Sequence, residues 1–127
     1  MRIDDPETLR SLSEQVERYE VALLANDIAA LDAMFWESER AVRLGIGENL
    51  YGFAQIAAFR LARPGGSPPR RRLKTLVTTF GHEFGVANVE FQREGSTTVG
   101  RQSQAWARIG GEWKIVAAHV SLMGSGH

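Results

Sequence analysis

The second half of the chain admits the fewest folds. Arg71 to Gly81, Glu83 to Arg93, Thr97 to Ile109 and Glu112 to Met123 are long runs enriched in Val, Thr, Ile, Phe and Trp, residues that suit a pleated, half-buried surface. Only Gly81-His82, Glu94-Gly95-Ser96 and Gly110-Gly111 separate them. Connections that short join antiparallel neighbours and leave no room for a crossover helix. The pattern predicts an antiparallel meander of these four strands.

The first half reads differently. Asp5-Pro6 is a helix-start signal, and Leu9, Leu12, Val16, Tyr19 and Leu23 follow at three- and four-residue spacing on one face. Asn26-Asp27 breaks that helix. Asp27 then caps a second, shorter one carrying Ile28, Leu31, Met34 and Phe35. Ala41 to Ile46 reads as a strand, Gly47-Glu48-Asn49 as a turn, and Leu50-Tyr51 as a short returning strand. Residues 53–63 read as a third helix, and the Pro- and Gly-rich stretch from Arg63 to Arg72 as a loop. Helices gathered on one face of an antiparallel sheet make an α+β domain. A strongly curved antiparallel sheet wrapped around three helices leaves a cone with an open mouth, and 127 residues suffice for one such domain over 1–127.

Charge and composition remove several function classes. Fifteen basic residues balance fifteen acidic ones, so binding of nucleic acid through bulk charge is not expected. Thirteen of the basic residues are arginine, and residues 1–39 hold ten acids against three arginines. That asymmetry reads as acidic helices facing water, and Arg70-Arg71-Arg72 as a solvated loop. There is no cysteine, and His82, His119 and His127 lack metal-ligand spacing, so no metal is expected. No apolar run approaches a membrane span, which makes the cytoplasm the expected address. Gly45-Ile-Gly47 and Pro64-Gly65-Gly66 lack the rest of a nucleotide-binding motif, and no Gly-x-Ser-x-Gly elbow is present. Residues from Gly124 to His127 read as a flexible tail.

Strand alternation sorts the candidate site residues by face. Arg43 shares a side with Ala41 and Gly45, small neighbours that leave it room to reach. A guanidinium in an apolar strand keeps its charge and needs an anion. That anion is either an internal Glu48 or Glu90, or a substrate carboxylate gripped by paired hydrogen bonds. Tyr19 lies on the apolar stripe of the first helix, its hydroxyl directed either to a backbone carbonyl or into the cavity. A nearby Arg43 would favour its phenolate and suit it to proton transfer. Trp36 is a candidate pocket wall, and Asn49 and Tyr51 candidate mouth residues. Arg101 with Ser103, or Gln102 with Gln104, must face inward; Arg101 is preferred as a second anion holder. His119 and Ser121 share a face in the last strand. Both faces of that strand are largely apolar, so another subunit is expected over the outer one, giving a homodimer or a higher homo-oligomer.

The architecture resembles the SnoaL-like, or nuclear-transport-factor-2-like, cone fold. Glu17-Arg18-Tyr19-Glu20, Leu24-Ala25-Asn26-Asp27, Met34-Phe35-Trp36, Val42-Arg43, Glu48-Asn49-Leu50-Tyr51-Gly52, Ala87-Asn88-Val89-Glu90-Phe91, Gly100-Arg101-Gln102-Ser103-Gln104 and Ala117-Ala118-His119-Val120-Ser121-Leu122-Met123 resemble the AtzH-like family of that superfamily. The resemblance implies bacterial catabolism of nitrogen-rich compounds beside an amidase, with cleavage of 1,3-dicarboxyurea to allophanate and carbon dioxide. It also implies that Tyr19 and Arg43 form the catalytic pair and that no metal or organic cofactor takes part. The competing expectation is a non-catalytic ligand-binding or scaffolding subunit, whose mark would be a filled cone with Arg43 already matched by a glutamate.

Overall fold

Asp5 opens the first helix as its position predicts: its carboxylate accepts from the Thr8 amide at 3.2 Å, and Pro6 occupies the first helical turn. Asp27 caps the second helix through the Ala30 amide at 3.1 Å. A computed structural model describes residues 1–124, so the expected tail beyond Gly124 lies outside the described residues. Its elements are α1 (Pro6–Leu24), α2 (Ile28–Met34), β1 (Val42–Leu44), β2 (Asn49–Tyr51), α3 (Phe53–Ala62), β3 (Arg70–Phe80), β4 (Phe84–Arg93), β5 (Val99–Ile109) and β6 (Glu112–Leu122). The element order is the predicted one, with β1 cut to three residues where the chain turns at Gly45.

One curved, unclosed sheet runs in the order β2-β1-β6-β5-β4-β3. The four long strands form the expected antiparallel meander. The sheet as a whole is mixed rather than antiparallel, because β1 lies parallel to β6, with Arg43 opposite Ala118 and Leu44 opposite His119. No hairpin links those two strands, so nothing in their connection imposes opposite directions. The described residues form an α+β cone with the three helices on the concave face. No helix among them is long and apolar enough to cross a membrane.

The core sits between the helices and that concave face. Leu12, Val16 and Tyr19 of α1 pack with Leu31, Phe35 and Ile56 against Ala87, Trp106 and Ile115. Trp106 is wholly buried, and its indole N–H is satisfied by the Gln104 side-chain oxygen at 3.0 Å.

Two register shifts decide which side chains look inward. Between β5 and β6, Ala105 pairs with Ala117 but Trp106 pairs with Ile115, leaving Val116 as an extra residue. An extra residue in one strand reverses the facing of everything beyond it. Trp113 and Ile115 therefore point into the core, while past the bulge Ala118 takes that role and Ala117 and His119 are exposed. In β3, Arg72 pairs with Phe91 and Lys74 with Glu90, so Leu73 is the extra residue. Arg70 and Arg72 thereby face α1, and further along Val77 and Thr79 turn inward.

The acidic half and the arginine-rich half meet at this seam. Arg70 grips Glu20 by two hydrogen bonds, at 3.1 and 2.6 Å, and Arg72 pairs with Glu17. The expectation that the acidic helix simply faces water, and that residues 70–72 form a solvated loop, is corrected on this point. Arg70 and Arg72 open β3, and only Arg71 and its partner Gln92 lie on the exposed side. The Arg72 hydrogen bond holds Glu17 below the usual carboxylate range. That contribution is complete above the unfolded carboxylate range and fades as pH falls through the depressed folded value.

α1 can approach the sheet because Gly85 has no side chain. A Cβ there would stand 2.3 Å from a methyl of the fully buried Leu12 and 3.0 Å from the Thr78 carbonyl, which the ladder holds. Gly85→Ala should destabilise the fold by about 1–3 kcal/mol, the usual result of overpacking a core. Urea denaturation measures it; an unchanged midpoint would show that α1 is free to shift.

Candidate functional site

A cavity of about 160 Å³ opens between α1, the β1–β2 turn, the end of α3 and the inner face of β3 to β6. Tyr19, Arg43, Glu48, Arg63, Arg70, Phe91, Arg93 and Gln102 line it. A smaller lobe of about 30 Å³ continues inward, sharing Tyr19, Arg43 and Arg63 and reaching Phe59 and Ile56. The space suits a small molecule; a drug-sized ligand needs several hundred Å³.

Each wall residue arrives for a local reason. Tyr19 follows Leu12 and Val16 on the buried stripe of α1, which leaves the residue 5 % exposed. Its hydroxyl makes no hydrogen bond to a protein group among the described residues and so stays available to whatever enters. Arg43 is held inward by β1, with its guanidinium 5.8 Å from the Phe59 ring centre. Gln102 is buried on the inner face of β5, and its side-chain amide likewise has no protein partner among the described residues.

Arg43 is matched. Its Nη1 donates to Oε1 of Glu48 at 2.9 Å, so of the anions expected for it the internal Glu48 is the one in place, which is the mark set for the non-catalytic reading. The β1–β2 turn brings the two residues together, and it does so over a glycine: a Cβ at Gly45 would lie 1.7 Å from the Glu48 oxygen. The Nε and Nη2 donors of Arg43 have no acceptor among the described residues. Glu90 takes no part, since it is exposed on the other face of β4.

The unmatched charge lies on two arginines that the sequence did not single out. Arg63 ends α3 and Arg93 ends β4; both are half-buried, and neither side chain has an ion-pair or hydrogen-bond partner among the described residues. Burial, and then the charges of Arg43 and Arg93, push the Arg63 guanidinium below its ordinary range. Arg93 stands directly opposite Arg70 across the β3–β4 ladder, a placement that costs stability when both are cationic. Arg70 is different: Glu20 neutralises it, and its guanidinium lies 4.3 Å from the Phe91 ring centre. Four guanidiniums thus meet two carboxylates, and the cavity is left cationic beside a free phenol.

The other expected site residues lie elsewhere. Arg101 and Ser103 are exposed on the convex face, because β5 turns Gly100, Gln102, Gln104 and Trp106 inward. The parity shared by Trp106 and Gln102 was the signal for that choice. His119 is exposed, and Ser121 follows it to the convex side through the β6 bulge. Asn49 and Tyr51 flank the buried Leu50 on edge strand β2 and are exposed. Trp36 is half-buried against the core, its backbone N–H on the Ile115 carbonyl, and is not part of the cavity wall. No group of three or more metal-ligating side chains with suitable geometry occurs among the described residues.

Comparison with known proteins agrees with this architecture. A family model described as AtzH-like matches residues 1–126. A crystal structure of a protein of unknown function from Pectobacterium atrosepticum is 49% identical, with a TM-score of 0.93 over 96% of this chain and 95% of that one. A cystatin-like fold protein from Burkholderia xenovorans is 39% identical, again at a TM-score of 0.93, over 99% of both chains. A nuclear transport factor 2-like superfamily protein from Salmonella enterica, 22% identical with a TM-score of 0.77 over 94% of each chain, shares the fold alone. No curated protein matches the chain.

The contrast between Arg70 and its unpaired neighbours is measurable. Arg70→Met strands the buried carboxylate of Glu20 and should cost about 3–5 kcal/mol of stability. Adding Glu20→Leu should recover most of that loss in denaturant titrations. A single variant as stable as the wild type would mean that the pair holds nothing together.

Proposed function

The chain belongs to the AtzH-like family, and from that premise, together with the cationic cavity, we propose that it is an enzyme cleaving a small carboxylated urea. The substrate is a dianion of the 1,3-dicarboxyurea type, and the products are allophanate and carbon dioxide. The observation that carries the reading is a free tyrosine hydroxyl in a small cavity where guanidiniums outnumber carboxylates. A dianion offsets that excess, whereas a neutral or cationic molecule does not.

Cleavage breaks the bond between a urea nitrogen and its carboxylate carbon. The departing carboxylate loses charge, while the electron pair moves onto nitrogen and the adjoining urea carbonyl. Groups that speed the step must therefore act on nitrogen and on the carbonyl oxygen, where charge develops. Tyr19 supplies the proton that the nitrogen takes up. Arg43, oriented by Glu48 through Nη1, presents its remaining donors to the substrate oxygens. Direct loss of carbon dioxide and attack of water on the carboxylate carbon both require this proton, so the two routes share these residues. The chemistry needs no metal or organic cofactor.

Pairing of Arg43 with Glu48 favours a second reading, a ligand-binding or scaffolding subunit of an amidase system that does no chemistry. The open cavity and the unsatisfied Tyr19 hydroxyl weigh on the side of catalysis.

The convex sheet face supports a homodimer of this cytoplasmic enzyme. Leu76 is 53% and Phe84 40% exposed there. Glu90 stands opposite Arg101 in the ladder, so the apolar patch is bordered by both signs of charge, as a self-complementary contact requires. Sedimentation should give twice the chain mass, and Leu76→Glu should give monomers; a monomeric wild type would reject the contact.

Incubating the purified protein with freshly generated 1,3-dicarboxyurea and following allophanate tests the enzyme reading. Tyr19→Phe should lose roughly 10²–10⁴-fold in turnover, and Arg43→Ala should lose most of its activity, both with unchanged circular dichroism. Full activity in either variant would reject the role assigned to it, and no turnover by the wild type would favour the binding subunit.

A further inference from the structure

Arg63 and Arg93 are the feature that the catalytic pair leaves unexplained. They come from separate elements, the end of α3 and the end of β4, and converge on one cavity wall. Both are half-buried with no carboxylate partner among the described residues, and the arginine opposite Arg93 in the ladder, Arg70, already has its carboxylate in Glu20. The Arg63 guanidinium lies 5.9 Å from the Phe59 ring centre, the same ring that Arg43 approaches from 5.8 Å. Phe59 thereby sets the two cations side by side, on the wall shared by both lobes. Desolvating guanidiniums next to one another is unfavourable. A surface arginine escapes such crowding by turning to water. Both side chains line the cavity, and an anion between them offsets their repulsion.

We infer that Arg63 and Arg93 form a second anion subsite, separate from the Tyr19–Arg43 pair, which makes the cavity select small dicarboxylates over monocarboxylates. The inference rests on the proposed reading for its place in the reaction, but binding tests it on its own. One carboxylate of the ligand meets the free donors of Arg43, and the other lies between Arg63 and Arg93. Attraction between the carboxylate and the two guanidiniums, together with relief of their mutual repulsion, is the source of the affinity. Selection of two charges also gives release a direction. Once carbon dioxide has left, the remaining monoanion engages only one subsite and is held less tightly than the substrate.

Calorimetric titration of the full chain with malonate and with acetate tests the subsite without chemistry. The wild type should bind malonate at least about tenfold more tightly than acetate, the value of one charge-assisted contact. Arg63→Gln and Arg93→Gln should each remove most of that preference and leave acetate binding in place. Without ligand, both variants should melt no lower than the wild type, because they relieve repulsion rather than break a pair. Equal affinity of the wild type for the two acids would overturn the inference. So would an undiminished preference in both variants, or a lowered ligand-free melting temperature in both, which would mark the arginines as structural. The two readings fail separately: a fully active Tyr19→Phe enzyme ends the proton-transfer role but leaves the malonate preference standing. A preference that survives both glutamines ends the subsite and leaves the catalytic pair untouched.

Discussion

A guanidinium cannot shed its charge, so each arginine drawn into the interior must meet an anion or leave a demand for one. That constraint organises the molecule. Arg70 and Arg72 at the start of β3 meet Glu20 and Glu17 of α1, and Arg43 meets Glu48 across the β1–β2 turn. The two pairs of β3 tie the acidic helical half to the basic sheet. Where the carboxylates run out, at Arg63 and Arg93, the cavity opens.

Close backbone approach makes the pairing possible. Gly85 lets α1 settle onto the sheet, which brings Tyr19 and Glu20 to opposite jobs on adjacent positions: one hydroxyl free toward the cavity, one carboxylate committed to Arg70. Gly45 does the same on a smaller scale, leaving the space in which the Glu48 carboxylate lies against Arg43. A bound dianion would complete a charge balance that the folded chain leaves unfinished, and for that reason the cavity suits such a ligand better than a neutral one.

Much of the fold was legible in the chain, because local spacing governs local structure. The apolar stripe of α1, the Asp5 and Asp27 caps and the short Gly turns between the long strands each act over a few residues. Tyr19 and Arg43 were legible for the same reason: one belongs to a helical stripe, the other stands in a strand among small neighbours. Arg101, His119 and Ser121 were misplaced because alternation tells which residues share a face and cannot tell which face is inner. In β6 simple alternation breaks at Val116, an inserted residue that puts His119 and Ser121 on the face opposite Trp113 and Ile115. Arg63 and Arg93 gave no local sign, one standing in a Pro- and Gly-rich stretch and the other at the end of a strand.

What the chain determined by itself is therefore the set of elements, their order and the antiparallel meander, since propensity, capping and turn chemistry are properties of neighbouring residues. Tertiary structure alone decided that β1 runs parallel to β6, that two bulges exchange faces, and that Glu48 rather than Glu90 answers Arg43. It also decided that two arginines thirty positions apart in the chain share one cavity with no ion-pair partner among the described residues. Charge compensation depends on distance in space, and that distance exists only after the sheet has curved around its helices.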